Sequence, residues 1–281
     1  MKEHMKPVLR TSPLEPHASS NYGRLESRTE PIPIPIMEKS AIRTKPDDRL
    51  VSLVSPATIE AEQYRTLGMM LEQRRHSGLL QVVAVSSPTM GDGKTITSIN
   101  LAGALAQSPQ ARVLLVDADF RKPSVPTQMG LRDGSMIGLR DAILNPNLAL
   151  KDIVRRLPAY NLSVATVGRA QIMPHEIFKS TRFAELIDEA RHDFEWIILD
   201  TAPLVLAPDC LMMGHSIDGF VMIVSAHKTS RKEIAEALNI IGPSKLLGLV
   251  FNNDDGLLES YGYRTYLSVS QAQQEELTRQ D

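Results

Sequence analysis

The sequence predicts a three-layer α/β fold in which a mostly parallel central sheet is flanked by helices on both faces. Two observations support this prediction. Apolar runs of strand length recur along the chain, for example at residues 82–85, 113–116 and 219–225, and unbroken runs are typical of strands covered on both faces. Segments with the apolar spacing of helices lie between these runs, which favours parallel strands joined by helical crossovers.

The size and composition fit one folded domain. With 281 residues, 42% of them apolar, the chain is long enough to bury a sizeable core. A formal net charge of -2 gives no electrostatic reason to expect a nucleic-acid partner. The single cysteine, Cys210, excludes an internal disulfide and fits a small buried hydrophobe in a reducing compartment. No apolar run reaches the roughly 20 residues of a membrane-spanning helix, and no secretory signal is recognisable, so we expect a cytoplasmic protein.

Composition divides the chain into three parts. Residues 1–50 are rich in proline, serine and charge, with PIPIPI at 31–36, and alternating prolines neither continue a helix nor donate to a β-ladder. We expect a disordered tether there, although the prolines also fit a ligand of a proline-recognising module. Residues 51–256 hold the predicted folded domain. Residues 257–281 are mostly polar, and we expect a flexible tail.

The domain begins with a predicted helix at residues 60–75, on which Tyr64, Leu67 and Leu71 share one face. Glu62 and Arg65 lie three positions apart, a spacing at which side chains on a helix meet. Two interpretations follow for this pair. The side chains either bind each other along the helix surface or contact a neighbouring copy of the chain.

A strand, a glycine-containing loop and a helix follow in one stretch, residues 82–107. The loop GDGKT matches the end of the pattern G-x-x-x-x-G-K-[ST], although Pro88 stands at the position of the first glycine. Glycines let successive N–H groups point at phosphate oxygens, and the helix adds the positive end of its dipole. The lysine of the pattern reaches the β- and γ-phosphates, while the hydroxyl binds Mg2+. We therefore expect a nucleoside triphosphate to be bound by Gly91, Asp92, Gly93, Lys94, Thr95 and Ile96.

Carboxylates follow two other predicted strands. Asp117 and Asp119 come directly after the apolar run at 113–116, and two residues apart they point to the same side of an extended chain. Near a phosphate site such a pair repels unless a cation lies between the carboxylates, so Mg2+ binding and proton acceptance are the expected roles. A polar exit from a strand into a turn is the alternative. The run WIIL at 196–199 ends in Asp200, which we expect to bind Mg2+ as well.

The last part of the predicted domain holds two more strands with a helix between them. Three cations, Lys228, Arg231 and Lys232, cluster at the start of this helix, where they oppose its dipole. Docking of an acidic partner segment and a purely structural role are both open for this cluster. Asn252 ends the last strand, at the edge where parallel sheets contact their ligands, and we expect it to contact the nucleotide.

The tail contains three of the six tyrosines of the chain, Tyr261, Tyr263 and Tyr266. The neighbouring glycine and polar residues are unfavourable for a packed core, so we expect these rings to be exposed on a mobile segment. Aromatic anchors that fold the tail back onto the domain are the alternative.

Between residues 59 and 266 the motifs resemble those of the bacterial tyrosine kinases of capsule and exopolysaccharide export, which are P-loop NTPases related to the MinD and ParA ATPases. The resemblance rests on GDGKT at 91–95, VDADFRKP at 116–123, ILDTAP at 198–203, the helix with Glu62 and Arg65, and the tyrosine cluster. VDADFRKP together with the tyrosine cluster is specific, because a P-loop alone is widespread.

The resemblance implies an ATP-dependent protein-tyrosine kinase that regulates polysaccharide polymerisation and export. In this family the corresponding residues hold Mg-ATP, so Lys94 is the implied phosphate lysine. Thr95, Asp117 and Asp200 are the implied Mg2+ ligands. Lys94, Asp117 and Asp119 are the implied catalytic residues, with Asp117 as the expected acceptor of the tyrosine proton.

The resemblance also implies partners. Tyr261, Tyr263 and Tyr266 are the expected phosphoacceptors, phosphorylated by the next copy in a ring, and Glu62 and Arg65 the expected contact between copies. A transmembrane activator of the polysaccharide machinery on a separate chain is the other expected partner, and it would bring the kinase to the inner face of the plasma membrane. No nucleic-acid partner and no direct membrane contact are implied.

The chain departs from the family pattern at three positions. Met90 stands where the family usually has proline before the loop, and Gly68 stands where the helix motif has a second arginine. Thr89 stands where ParA-type ATPases carry a lysine. A nucleotide-dependent switch like MinD or ParA, without kinase activity, is the alternative function, because it would use the same ATP site.

Overall fold

The computed structural model describes residues 34–36, 44–76, 80–131, 137–169, 176–177, 180–207 and 213–253. Cys210 and the three tail tyrosines, Tyr261, Tyr263 and Tyr266, lie outside the described residues, as do the tail itself and most of the expected tether. Within the described residues, no helix is long and apolar enough to cross a bilayer.

Seven strands form a single sheet in the described part of the chain: β1 (Val82–Ser86), β2 (Val113–Asp117), β3 (Val154–Leu157), β4 (Leu162–Ala165), β5 (Trp196–Asp200), β6 (Gly219–Ser225) and β7 (Leu246–Asn252). They lie in the order β3-β4-β2-β5-β1-β6-β7. Neighbouring strands are parallel, apart from the antiparallel pair of β3 and β4. The mostly parallel sheet is confirmed. The sequence did not indicate β3, because its four residues, VRRL, include two arginines.

Helices cover both faces of the sheet, as the three-layer prediction requires. The described α-helices are α1 (Val51–Val54), α2 (Ile59–His76), α3 (Lys94–Leu105), α4 (Val125–Gln128), α5 (Leu139–Leu144), α6 (Leu150–Ile153), α7 (Thr181–Asp193) and α8 (Arg231–Ile241). Val82 and Ala84 of β1 point into a core shared with α5 to α8, and Val83 and Val85 point into a core shared with α2, α3 and α4. This alternation follows from the two-residue period of a strand.

The register of the sheet brings the motif-bearing strand ends together. β5 lies between β2 and β1, and Asp200 is the register partner of both Asp117 and Val85. The loop after β1 and the two acidic strand ends therefore meet at one carboxyl edge, which is where open parallel sheets bind their ligands.

Residues 44–50, which composition placed in the tether, pack against the domain. Asp47 N donates to Gln128 O at 2.9 Å, and the side chain of Leu50 is fully buried. Asn100 of α3 donates from Nδ2 to Arg49 O at 2.9 Å. The tether expected over residues 1–50 is therefore shortened at its C-terminal end, because residues 44–50 belong to the packed domain. Residues 34–36 also contact the domain, since Arg156 N of β3 donates to Pro35 O at 2.9 Å and Ile34 packs against the core. Elsewhere the tether stays a prediction.

Candidate functional site

The loop between β1 and α3 has the backbone of a phosphate cradle. Gly91 and Gly93 have φ angles of 77° and 98°, in the left-handed region that favours glycine. A Cβ atom on Gly93 would lie 2.0 Å from Asn252 Nδ2, so the close approach of that side chain also requires glycine. α3 begins at Lys94, directly after the loop, and its unpaired N–H groups and dipole therefore favour an anion there. Ile96 lies in the first turn of α3, partly buried against the core.

Lys94 lies among carboxylates at the base of this loop. Its Nζ atom is 2.7 Å from Asp119 Oδ2 and 3.7 Å from Asp200 Oδ1. Burial lowers the pKa of Lys94, but the negative charges of Asp200 and Asp119 outweigh burial, so the net pKa is raised. Lys94 is therefore a cation at neutral pH, as contact with phosphate oxygens requires.

Asp200 lies at the end of β5 and contacts two hydroxyls of α3. Thr95 Oγ1 donates to Asp200 Oδ2 at 2.6 Å, and Ser98 Oγ donates to Asp200 Oδ1 at 3.2 Å. The carboxylate is fully buried, and this burial raises the pKa of Asp200 above its ordinary value. Sequence reasoning missed Ser98, although its position one helical turn after Lys94 indicates that the two side chains share a face of α3.

Asp117 at the end of β2 is held by the start of α4. Its Oδ2 atom accepts hydrogen bonds from the backbone N–H groups of Ser124 and Val125 at 3.0 and 3.1 Å. The Ser124 hydroxyl also lies 3.0 Å from Thr95 Oγ1, which links this side of the site to the P-loop helix. Burial, with the neighbouring charge of Asp200, raises the pKa of Asp117 well above its ordinary value. Two buried carboxylates that disfavour each other's charge attract a cation.

The side chains at this edge of the sheet supply part of the coordination shell that a Mg2+ ion needs. Thr95, Asp117 and Asp200 contribute a hydroxyl and carboxylates, which are the hard ligands that Mg2+ prefers. Within the described ranges, no group of three His, Cys, Asp or Glu side chains is placed to hold a metal ion. A Mg2+ ion here would therefore complete its coordination with phosphate oxygens and water, as it commonly does in nucleotide sites.

Asp92 and Asn252, both expected to bind nucleotide, hold the loop itself. The Asp92 carboxylate is fully buried and accepts hydrogen bonds from Thr89 N at 2.9 Å and from Thr229 Oγ1 at 3.1 Å. Asn252 Nδ2 donates to Asp92 O at 2.9 Å. Direct contact of either residue with a nucleotide stays a prediction. Sequence reasoning missed Thr229 and Lys228 as partners of Asp92, because more than a hundred residues separate them from the loop.

Glu62 and Arg65 pair with each other along α2, as the first of the two interpretations predicts. Arg65 Nε lies 2.7 Å from Glu62 Oε2, and the Arg65 guanidinium also donates to Pro56 O at 2.6 Å. Their contact with a neighbouring copy stays a prediction. Gly68 is buried, and a Cβ atom on it would lie 3.3 Å from Leu105 Cδ2 of α3. An arginine at this position, as in the family motif, would require the Leu105 side chain to shift.

Comparisons with known proteins find similarity in both sequence and structure. The family model described as "AAA domain" matches residues 80–241, which include the loop after β1 and the ends of β2 and β5. The chain is 32% identical over 217 residues to the tyrosine-protein kinase YwqD of Bacillus subtilis, covering 76% of this chain and 90% of that protein. It is 28% identical over 219 residues to the succinoglycan biosynthesis transport protein ExoP of Rhizobium meliloti, covering 75% of this chain and 27% of that protein. The crystal structure of the chimerical protein CapA2B2 superimposes with a TM-score of 0.68 at 25% identity, covering 79% of this chain and 95% of that one.

Proposed function

This chain belongs to the AAA domain family and to the bacterial tyrosine-protein kinases, and we propose that it transfers the γ-phosphoryl group of Mg-ATP to tyrosines of its own tail. One observation carries the proposal. A lysine, a threonine hydroxyl and two buried carboxylates converge at adjacent strand ends in a chain related to a tyrosine-protein kinase over most of its length.

In the proposed reaction the protein mainly positions groups and balances charge, as is general for phosphoryl transfer. Lys94 exchanges its contact with Asp119 for the β- and γ-phosphate oxygens. Thr95, Asp117 and Asp200 would hold a Mg2+ ion, which would supply charge neutralisation at the phosphates. The N–H groups of the loop and of the first turn of α3 orient the phosphates.

Asp117 is the proposed acceptor of the tyrosine proton. A phenol has an ordinary pKa of about 10, so transfer is favoured by a nearby base. In the absence of a bound cation, burial raises the pKa of Asp117 above its ordinary value. Two backbone N–H groups at the start of α4 fix its Oδ2 atom. Asp119 accepts a hydrogen bond from Lys122 N at 2.9 Å, which fits a role in shaping the loop that carries both carboxylates.

The process and the partners are further parts of the proposal. Similarity to ExoP, a succinoglycan biosynthesis transport protein, supports a role in exopolysaccharide polymerisation and export. The sequence resemblance supports phosphorylation between copies of the chain, with Glu62 and Arg65 at their contact. It also supports a transmembrane activator on a separate chain, which would recruit the kinase to the inner face of the plasma membrane. No observation in the described residues favours a switch ATPase without kinase activity.

The test is phosphotyrosine formation by the purified protein with Mg-ATP, mapped to individual residues by mass spectrometry. We expect phosphate on Tyr261, Tyr263 and Tyr266, and loss of all phosphotyrosine in Lys94→Met because the phosphate lysine is missing. A variant with phenylalanine at the three tail positions is the matched control, since it should bind ATP normally without forming phosphotyrosine. ATP hydrolysis by the natural sequence without any phosphotyrosine would contradict the proposal and favour the switch ATPase.

A further inference from the structure

A negative charge lies inside the loop that is expected to hold a triphosphate. Asp92 stands between Gly91 and Gly93, two positions before the phosphate lysine, and its carboxylate is fully buried. Alone, a buried carboxylate at this place is costly, and it also repels an anionic ligand. The described structure must therefore compensate this charge if the loop is to bind ATP.

Lys228, in the turn between β6 and α8, provides the compensation. Its Nζ atom lies 3.3 Å from Asp92 Oδ1 and donates to Met90 O at 2.7 Å. A Cβ atom on Gly91 would lie 3.0 Å from the same Nζ atom, so the ammonium group sits directly against the loop backbone. The Lys228 ammonium group thus contacts both the Asp92 carboxylate and the Met90 carbonyl of the loop, although half of the Lys228 side chain is exposed.

Thr229 fixes the turn that carries Lys228. Its hydroxyl accepts a hydrogen bond from Ser225 N at the end of β6, at 3.1 Å, and donates to Asp92 Oδ1 at the same distance. Because Ser225 belongs to a buried strand, the position of the turn is set by the sheet rather than by solvent. The ammonium group is therefore held beside the loop by a rigid element.

We propose that Lys228 is a positioning residue of the nucleotide site, which neutralises Asp92 and fixes the Met90 carbonyl so that the loop N–H groups face the triphosphate. This inference rests on the proposed use of the loop for ATP. Of the three cations at the start of α8, Lys228 would then serve the loop. Only Arg231 and Lys232 would remain for docking an acidic partner segment. Lys228 acts through Asp92 and Met90, so its loss is expected to weaken nucleotide binding more than it changes the fold.

Isothermal titration with ADP and with a non-hydrolysable ATP analogue, both with Mg2+, tests the inference independently of kinase activity. Lys228→Met should bind both nucleotides about tenfold more weakly, the effect of losing one charge-assisted contact. Lys228→Arg should retain most of the affinity, because it keeps the charge. Lys232→Met is the matched control, since it removes the same charge from an exposed position in the first turn of α8 and should bind as the natural sequence does.

A double-mutant cycle separates charge neutralisation from a general structural role. In an Asp92→Asn background the carboxylate is gone, so adding Lys228→Met should change the affinity by less than about threefold. Thermal unfolding of each variant checks its fold. If Lys228→Met alone does not fold, the affinities of Asp92→Asn and of the double variant are compared instead. Unchanged nucleotide affinity in Lys228→Met would overturn the inference. So would a loss of about tenfold in affinity when Lys228→Met is added to Asp92→Asn. Normal nucleotide binding without phosphotyrosine would instead count against the proposed kinase function alone.

Discussion

At the scale of single residues, the site contains carboxyl groups whose burial reduces stability when no cation is bound. Asp117 and Asp200 are fully buried, and burial raises the pKa of both carboxyl groups. A folded structure without a cation must hold these groups against their preference for water. Lys94 offsets part of this cost through its contacts with Asp119 and Asp200.

Asp117→Asn should therefore stabilise the nucleotide-free protein while abolishing phosphotyrosine formation. The ordinary pKa of Asp117 is 3.8 and its folded pKa is higher, so the folded protein holds a proton that the unfolded chain has released. The free energy of unfolding of the natural sequence consequently falls as pH rises from about 4 through the raised pKa. We expect the variant to be about 1–2 kcal/mol more stable at pH 8, with a smaller difference at pH 4.5.

Thermal unfolding of both proteins at the two pH values measures this difference. A variant that is less stable than the natural sequence at pH 8, or a difference that does not depend on pH, would show that the buried charge is not the cause.

Sequence reasoning identified most of the residues that the structure brings together. Lys94, Thr95, Asp117 and Asp200 were predictable because strand ends and the loop motif fix their positions in an α/β sheet. The role of Asp92 in holding the loop was not predictable. Its partners lie after β6, and only the folded sheet brings that turn beside the loop after β1.

At the scale of elements, the loop after β1 depends on two positive φ angles and on the approach of β7. Gly93 makes the tighter of these contacts, because Asn252 Nδ2 occupies the place of its missing side chain and is bonded to Asp92 O. The end of β7 therefore contacts and supports the loop after β1.

Gly93→Ala should weaken nucleotide binding by at least about tenfold and lower the melting temperature. Alanine at a φ of 98° is strained, and its Cβ atom forces Asn252 away from Asp92. Gly242→Ala is a matched control, since Gly242 has a φ of 77° but nothing lies within 4 Å of its Cβ position. The control should lose about 1–3 kcal/mol of stability through backbone strain alone and bind nucleotide normally.

Nucleotide titration and thermal unfolding of the two variants give the comparison. Equal losses of affinity in both variants would indicate general destabilisation as the cause, and would contradict a specific role of the contact between Gly93 and β7.

The elements themselves were largely predictable. Long apolar runs and a helix with clear spacing gave β2, β6 and α2 to within two residues, because burial on both faces or on one stripe dictates their patterns. The strand β3 was missed since it is a short edge strand with two arginines. The packing of residues 44–50 was also missed, because it depends on polar contacts to α3 and α4 rather than on hydrophobic periodicity.

At the scale of the whole molecule, the sequence resemblance predicts an assembly of several copies, and we expect phosphorylation to loosen it through charge repulsion. Each phosphate on Tyr261, Tyr263 or Tyr266 adds roughly -1.5 to -2 charges to the tail, which favours repulsion between neighbouring copies. We expect glutamate at all three positions to shift the protein toward the monomer in size-exclusion chromatography with light scattering. Phenylalanine at the same positions is the control and should leave the assembly unchanged, and an unaltered profile for the glutamate variant would contradict the prediction.

Residues 44–50 and the first two helices pack on α3, and this packing determines where the domain can be cut or exchanged. The match to the family model begins at residue 80. Segments before residue 80 nevertheless contact α3, since Gly68 packs against Leu105 and Asn100 binds the backbone carbonyl of Arg49. A chain cut at residue 80 would bare the apolar side of α3 to solvent and invite aggregation. An exchange of catalytic domains between relatives should therefore carry the stretch from residue 44 onward, since the packed domain extends beyond the region that the family model matches.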